Sequence, residues 1–437
     1  MCNMSIEGTS VASRICSSKP GEGIQLLEMN TPIDDVITLT GSLLGGQAFN
    51  TSGNQATAQI MAAMLDQGTK SQNKFVISEK LEEMGALLTF AATQYHIRFS
   101  ARCLKNDVSQ VIELLADQLR NPVFPEEDLE IMKTNEIGDL LRSKDETDFM
   151  VNNRYLRETF PKTHPNHVLA VEDQVELVRK LTRSDLKKYH SASLGCGSLT
   201  VVAVGDTDFD LLEEALREGF GSWQKSNLSF EDIEQTAAPK MPKAKQIVES
   251  MQEKTSVDIM LGQPIGIDRD HKDYLPLMLG HFVLGGNFSA RLMSTVRDQA
   301  GLTYGIRSAV SGVDRTDGFW YVWGTFAPQL VNEGRSASIE QIERWIDGGI
   351  SNEELKAKKD TILGTYKVSF GTTSGIATQI LINKERGREK KYLDQYPKDI
   401  MAVSRGNVNS SIQRYCNTGK MLSVAAGSVN DKWEPLG

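Results

Sequence analysis

Arg297 and Tyr304 close a dense string, Leu284-Gly-Gly-Asn-Phe-Ser-Ala-Arg-Leu-Met, which continues through Arg297 to Gly301-Leu-Thr-Tyr304-Gly. A guanidinium is a permanent fork of hydrogen-bond donors, and a phenol adds one more. Together they can serve an electron-rich oxygen. The plainer alternative is an ion pair at the surface for Arg297 and a core position for Tyr304. Arg291, inside the string, reads as structural. Gly285-Gly286 is no phosphate cradle, because neither a G-x-G-x-x-G nor a Walker pattern follows a strand. The pair reads as a helix break that lets two backbones approach.

Metal chemistry is harder to place. A helical zinc hydrolase motif sets two His at i and i+4 with a Glu beside them as the base. The six histidines are His96, His164, His167, His190, His271 and His281, and no two stand four apart. None precedes Tyr95. His164 and His167 share a loop with Pro165, and each histidine reads as a core or surface residue before a ligand. Cys2, Cys16, Cys103, Cys196 and Cys416 are odd in number and scattered, a pattern of free thiols in a reducing compartment. No nucleophile elbow or Cys/His spacing stands out.

The elements that must hold these residues alternate between strands and helices. Ile24–Met29 and Asp35–Ser42 are β-rich runs around Pro32, which predicts a hairpin. Gln55–Asp66 carries Ala58, Met61, Ala62 and Leu65 at helical spacing, closed by Gly68-Thr69. Phe75–Met84 is a second helix, Leu87–Phe90 and Tyr95–Leu104 are strands, and Asp107–Arg120 is a helix that stops before Pro122. Pro125-Glu-Glu-Asp opens another helix with acids where its dipole favours them. Ser289–Asp298 reads as helix, Gly301 as the turn, Tyr304–Val310 and Phe319–Trp323 as strands.

The second half echoes the first. Ser198-Leu-Thr-Val-Val-Ala-Val-Gly-Asp is matched by Lys420-Met-Leu-Ser-Val-Ala-Ala-Gly-Ser, about 220 positions on, far beyond a solenoid period. The helices before these strands, and those ending Phe124-Pro-Glu-Glu-Asp-Leu and Ile350-Ser-Asn-Glu-Glu-Leu, echo likewise. The expected organisation is α+β: two homologous α/β-sandwich domains at 1–224 and 246–437, joined by a polar linker at 225–245 with Pro239 and Pro242. A formal net charge of −9 in 437 residues argues against nucleic acid, whose affinity comes from Lys and Arg on phosphates. It gives no reason to expect an anionic membrane surface either. No apolar run approaches the roughly 18 residues of a membrane span, and Met1–Gly8 lacks the pattern of a signal peptide. The expected location is the cytoplasm, with the periplasm left open if a leader has been removed.

The string around Arg297 and Tyr304 closely resembles the substrate-side signature of the pitrilysin/insulinase zinc peptidases, and the resemblance extends from Gly23 to Val424. That family carries H-x-x-E-H where this chain has Gln59-Ile-Met-Ala62-Ala63. The family's two His fall at Gln59 and Ala63, its Glu at Ala62, and its third ligand, a Glu, nearest to Asp139, 76 positions after Ala63. These departures leave no metal ligand set of this chain's own. The resemblance implies half of a clamshell. It also implies Arg297 and Tyr304 as catalytic donors to a substrate carbonyl and its oxyanion, with Gly285, Gly286 and Asn287 contacting peptide. It further implies a homologous H-x-x-E-H subunit that brings the zinc, in a heterodimer or larger assembly, and a peptide substrate. A structural or assembly subunit, like the core subunits of the cytochrome bc complex, and a peptide-binding maturation factor without peptidase activity are the other readings. A neighbouring reading frame with H-x-x-E-H is expected under the first reading and not under the last.

Overall fold

The computed structural model describes residues 10–50, 54–233, 238 and 243–436. Pro239 and Pro242 of the expected linker, Cys2 and the segment read for a signal peptide lie outside them. Two mixed sheets carry the fold. The first holds β1 (Cys16–Gly21), β2 (Ile24–Asn30), β3 (Val36–Leu44), β4 (Leu87–Ala92), β5 (His96–Leu104) and β6 (Leu199–Gly205), in the order β1-β2-β6-β3-β5-β4. The second holds β7 (Lys245–Ser250), β8 (Val257–Pro264), β9 (Thr303–Ser311), β10 (Phe319–Phe326) and β11 (Leu422–Gly427), in the order β7-β11-β8-β10-β9.

The two orders agree once β1 is set aside. The echoed strands β6 and β11 sit at equivalent places. Each pairs in parallel with one neighbour, β2 or β7, and antiparallel with the other, β3 or β8. Every residue of β6 and β11 is buried, which explains their unbroken apolar runs: a strand covered on both faces has no reason to alternate. The same fact corrects the hairpin expected of Ile24–Met29 and Asp35–Ser42. Those strands form, but β6 lies between them. The most apolar strand takes the centre, where both its faces can be covered, and the Pro32 segment crosses it instead of turning back.

The compact units do not follow the chain boundaries that the duplication suggests. The described residues of the first unit fall within 1–138, 174–233 and 365–397, and those of the second within 139–173, 234–364 and 398–437. Each sheet therefore takes helices from the other half of the sequence. In the first unit, the helix Thr373–Glu385 packs on β3 and β6. Ile376, Ala377, Ile380 and Leu381 there meet Leu27, Met29, Val202 and Val204 in one apolar cluster. Arg98 on β5 holds the end of that helix through a bidentate fork to Glu385, with Nε to Oε1 at 2.8 Å. In the second unit, the helix Thr147–Thr159 packs on β8 and β11, and its Thr147 donates to the buried carboxylate of Asp258 at 2.5 Å. Burial pushes that Asp258 carboxyl up, and the Thr147 bond opposes it.

Candidate functional site

In the first unit, the segment aligned with a metal motif is helix α1 (Ala56–Ala63). Its inward residues Ala58, Ile60, Met61 and Ala62 are buried. Gln59 is exposed and Ala63 half-buried, so these two share the outward face at i and i+4. The Gln59 side-chain amide donates to both oxygens of Glu136, at 3.2 and 3.3 Å. Glu136 lies on helix α2 (Glu126–Ser143), and burial raises its carboxyl above the usual range. It is thus Glu136, and not Asp139, whose carboxylate meets the α1 position. Asp139 stands three residues on, faces solvent and pairs with Arg142. The spacing that finds Glu136 is 77 residues from Gln59; counting from Ala63 led past it. A primary amide, an Ala methyl and one carboxylate do not fit zinc, which takes imidazole, thiolate or several carboxylates. Among the described residues no group of three or more His, Cys, Asp or Glu could hold a metal ion.

The second unit carries the string around Arg297 and Tyr304. Tyr304 is not in the core: it is 94% exposed. The register explains this. Thr325 on β10 faces Gly305, while the next residue, Phe326, faces Thr303. Tyr304 is the extra residue of a β-bulge, and a bulge re-aims the side chain it inserts. Thr303 stitches the bulge. Its hydroxyl accepts from the Gly305 N–H at 3.1 Å and donates to the Thr325 carbonyl. The Tyr304 hydroxyl has no hydrogen-bond partner among the described residues.

Arg297 lies in a π-helical stretch, Met293–Gln299, where the expected helix is present but wider than an α-helix. Such turns recur at functional sites. Its side chain is 38% exposed and touches Asp298 at 3.0 Å. The guanidinium carbon stands 5.8 Å from the centroid of the Phe288 ring. An exposed pair of neighbours is worth little, so the donor fork stays accessible. Phe288, itself 78% exposed, is a second residue that sequence reading passed over, although it sits inside the quoted string. Its signal was position, an apolar ring in a Gly/Asn/Ser turn.

The turn that carries Phe288 leaves helix α3 (Tyr274–Gly285). Gly285 is buried against β9: a Cβ there would lie 2.4 Å from the backbone nitrogen of Ser308, so only glycine permits the approach. Gly286 caps the helix, and Asn287 accepts from Lys358 at 2.7 Å. One turn earlier on α3, His281 fixes the same contact from within. Its Nδ1 lies 2.7 Å from the Ser308 hydroxyl, which itself donates to the Tyr321 carbonyl at 3.1 Å. The hydroxyl has one proton, so Nδ1 must carry the other and donate. Nε2 then accepts, and Cys416 Sγ stands 3.7 Å from it. Burial drives the His281 pKa down to about 3, which keeps the ring neutral. His164 is also structural, buried with Nε2 3.1 Å from Asp317.

Two family models match the chain, one described as insulinase (peptidase family M16) over residues 38–170 and one as peptidase M16 inactive domain over residues 180–362. A protein named non-peptidase homolog YmxG from Helicobacter pylori is 24% identical over 335 residues, 76% of this chain and 74% of that one. Subunit 1 of the human mitochondrial cytochrome b-c1 complex is 28% identical over 179 residues, 40% of this chain and 36% of that one. Among solved structures, a peptidase M16 inactive domain from Pseudomonas fluorescens superposes with a TM-score of 0.82 at 22% identity, covering 94% of this chain and 97% of that one; at that identity the likeness speaks for the fold alone.

Proposed function

The chain belongs to the insulinase family of peptidases, M16, and from that premise we propose that it serves as the zinc-less subunit of a two-chain metallopeptidase. In this reading it binds a peptide and presents Arg297 and Tyr304 to the scissile carbonyl, while the partner's zinc would supply an activated water. The partner is a homologous subunit with H-x-x-E-H, and the zinc and the proton-accepting Glu are that subunit's. This chain's own contribution is two donors. The Arg297 fork and the Tyr304 hydroxyl donate to the carbonyl oxygen and hold the negative charge that develops on it. Gly285, Gly286 and Asn287 serve peptide contact by holding Phe288 out, since Gly285 itself is closed off by β9.

The observation that carries the reading is Tyr304. A phenol 94% exposed on a stitched bulge, with no partner for its hydroxyl among the described residues, has little to do there. The test is turnover of a fluorescence-quenched peptide library by the chain mixed with the H-x-x-E-H subunit. A preorganised donor is typically worth about 3 kcal/mol of barrier, so Arg297→Ala is expected to cut kcat about 100-fold while the two chains still assemble. Tyr304→Phe, which removes only the hydroxyl, should act in the same direction. An Arg297→Ala mixture with normal turnover refutes the donor role.

A second reading, a structural subunit of a larger assembly, is favoured by the likeness to the human cytochrome b-c1 subunit. It predicts a stable complex with no dependence on Arg297 or Tyr304.

A further inference from the structure

Lys358 is a lysine with only 4% of its surface exposed, on helix α4 (Asn352–Val368). Burying an ammonium is costly unless its donors are satisfied. Here all three N–H groups have an acceptor: Asn287 Oδ1 at 2.7 Å, Ser289 Oγ at 2.9 Å and the Ser289 carbonyl at 3.1 Å. Every acceptor lies in the turn between α3 and the helix that bears Arg297. The opposing charge is Glu354, one turn earlier on α4. Arg291 grips it with Nε and Nη2 at 2.7 and 2.8 Å, and Arg291 also donates to the Gly349 carbonyl at 2.8 Å. Burial lowers the Lys358 pKa, and Glu354 partly restores it.

We propose that Lys358 is a positioning residue: its buried ammonium clasps the turn from Gly286 to Ala290, so that Phe288 projects to solvent and the following helix delivers Arg297 at a fixed height. The inference rests on the proposed function for its purpose, but not for its geometry. Phe288 and Arg297 touch across this turn, so a turn that wanders moves both. Arg291 and Lys358 act on the two ends of one five-residue segment, through two neighbouring turns of α4. Lys358 reaches no peptide itself and acts on turnover through Arg297.

The test has two arms. In the first, Lys358→Met is compared with the parent chain by amide hydrogen exchange. The Ala290 N–H closes the turn on the Asn287 carbonyl at 3.0 Å, and the Ser294 N–H bonds the Ala290 carbonyl at 3.0 Å. Losing charged hydrogen bonds should raise exchange at these amides by about tenfold or more, with β8, β10 and β11 unchanged. If Lys358→Met does not fold, the double variant Asn287→Ala/Ser289→Ala removes both side-chain acceptors, leaves only the Ser289 carbonyl, and should raise exchange at the same amides. Unchanged exchange at Ala290 and Ser294 overturns the clasp. In the second arm, kinetics of the mixture with the H-x-x-E-H subunit should show kcat reduced through Arg297 and KM raised through Phe288. Lys358→Met added to Arg297→Ala should lower kcat no further. A double variant with a lower kcat than Arg297→Ala alone overturns the claim that Lys358 acts on turnover through Arg297. A parent mixture that cuts no peptide defeats the proposed function instead, and the exchange arm still decides the clasp.

Discussion

Gln59 directs its amide at Glu136, and this contact defines what is left where the family carries a metal. The outward face of α1 still carries positions i and i+4, and the first of them meets a carboxylate with a raised pKa. Gln59→His with Ala63→His is therefore expected to create zinc binding, measurable by titration with a zinc indicator, and Glu136→Gln in that background to abolish it. Failure to take up zinc would mean that α1 does not keep the family's frame. Ala62 is a poorer place to restore a residue: it is 1% exposed, and a buried carboxylate there would be costly. At this scale the family was legible in contiguous residues, as in the string that ends at Tyr304. It was not legible where partners lie far apart. Glu136 and Asp139 are one helical turn apart, and only the packing of α2 decides which of them meets α1. Nor does a single Tyr in a strand announce that it is the extra residue of a bulge.

At the scale of elements, the contact between α3 and β9 sets the relation of the Phe288 turn to the Tyr304 bulge. Gly285→Ala would push a methyl into the β9 backbone. Overpacking of this kind should cost about 1–3 kcal/mol, read as a lower urea midpoint at unchanged slope. His281 gives the same contact a pH dependence. Its folded pKa is about 3 against an ordinary 6.5. Between those values the unfolded chain binds a proton that the folded chain does not. The contribution is complete above pH 6.5 and is lost as pH falls toward 3, at up to about 1.4 kcal/mol per pH unit. His281→Asn keeps a donor near Nδ1 and cannot titrate, so its stability from pH 6.5 to 5 should fall less than the parent's by roughly 1–2 kcal/mol. Equal slopes would contradict the buried neutral ring. Most elements were legible from periodicity, including α1 and the strand that becomes β9. The hairpin was not, because β6 enters from about 160 residues downstream and nothing local to Pro32 records it.

For the whole molecule, duplication was legible in the echoes around β6 and β11, and the two sheets repeat one strand order. Which sheet each helix covers was not legible. Thr147–Thr159 is amphipathic and Thr373–Glu385 has almost no polar–apolar contrast around its axis; neither sequence marks the sheet it covers, and that choice is made by tertiary fit. The Arg98–Glu385 fork should matter to that choice. Arg98→Met would leave Glu385 buried without its fork and cost about 1–2 kcal/mol, since Arg98 is part-exposed. Faster exchange in residues 373–385 ahead of global unfolding is the expected sign, and uniform exchange the contrary one. The larger claim is that this chain is one half of an enzyme. Its most direct test is hydrolysis of the quenched peptide library, with zinc, by the chain alone, by the H-x-x-E-H subunit alone and by the two together. The account predicts cleavage that requires both chains. Equal cleavage by the partner alone, or a stable complex that cuts nothing, would contradict it.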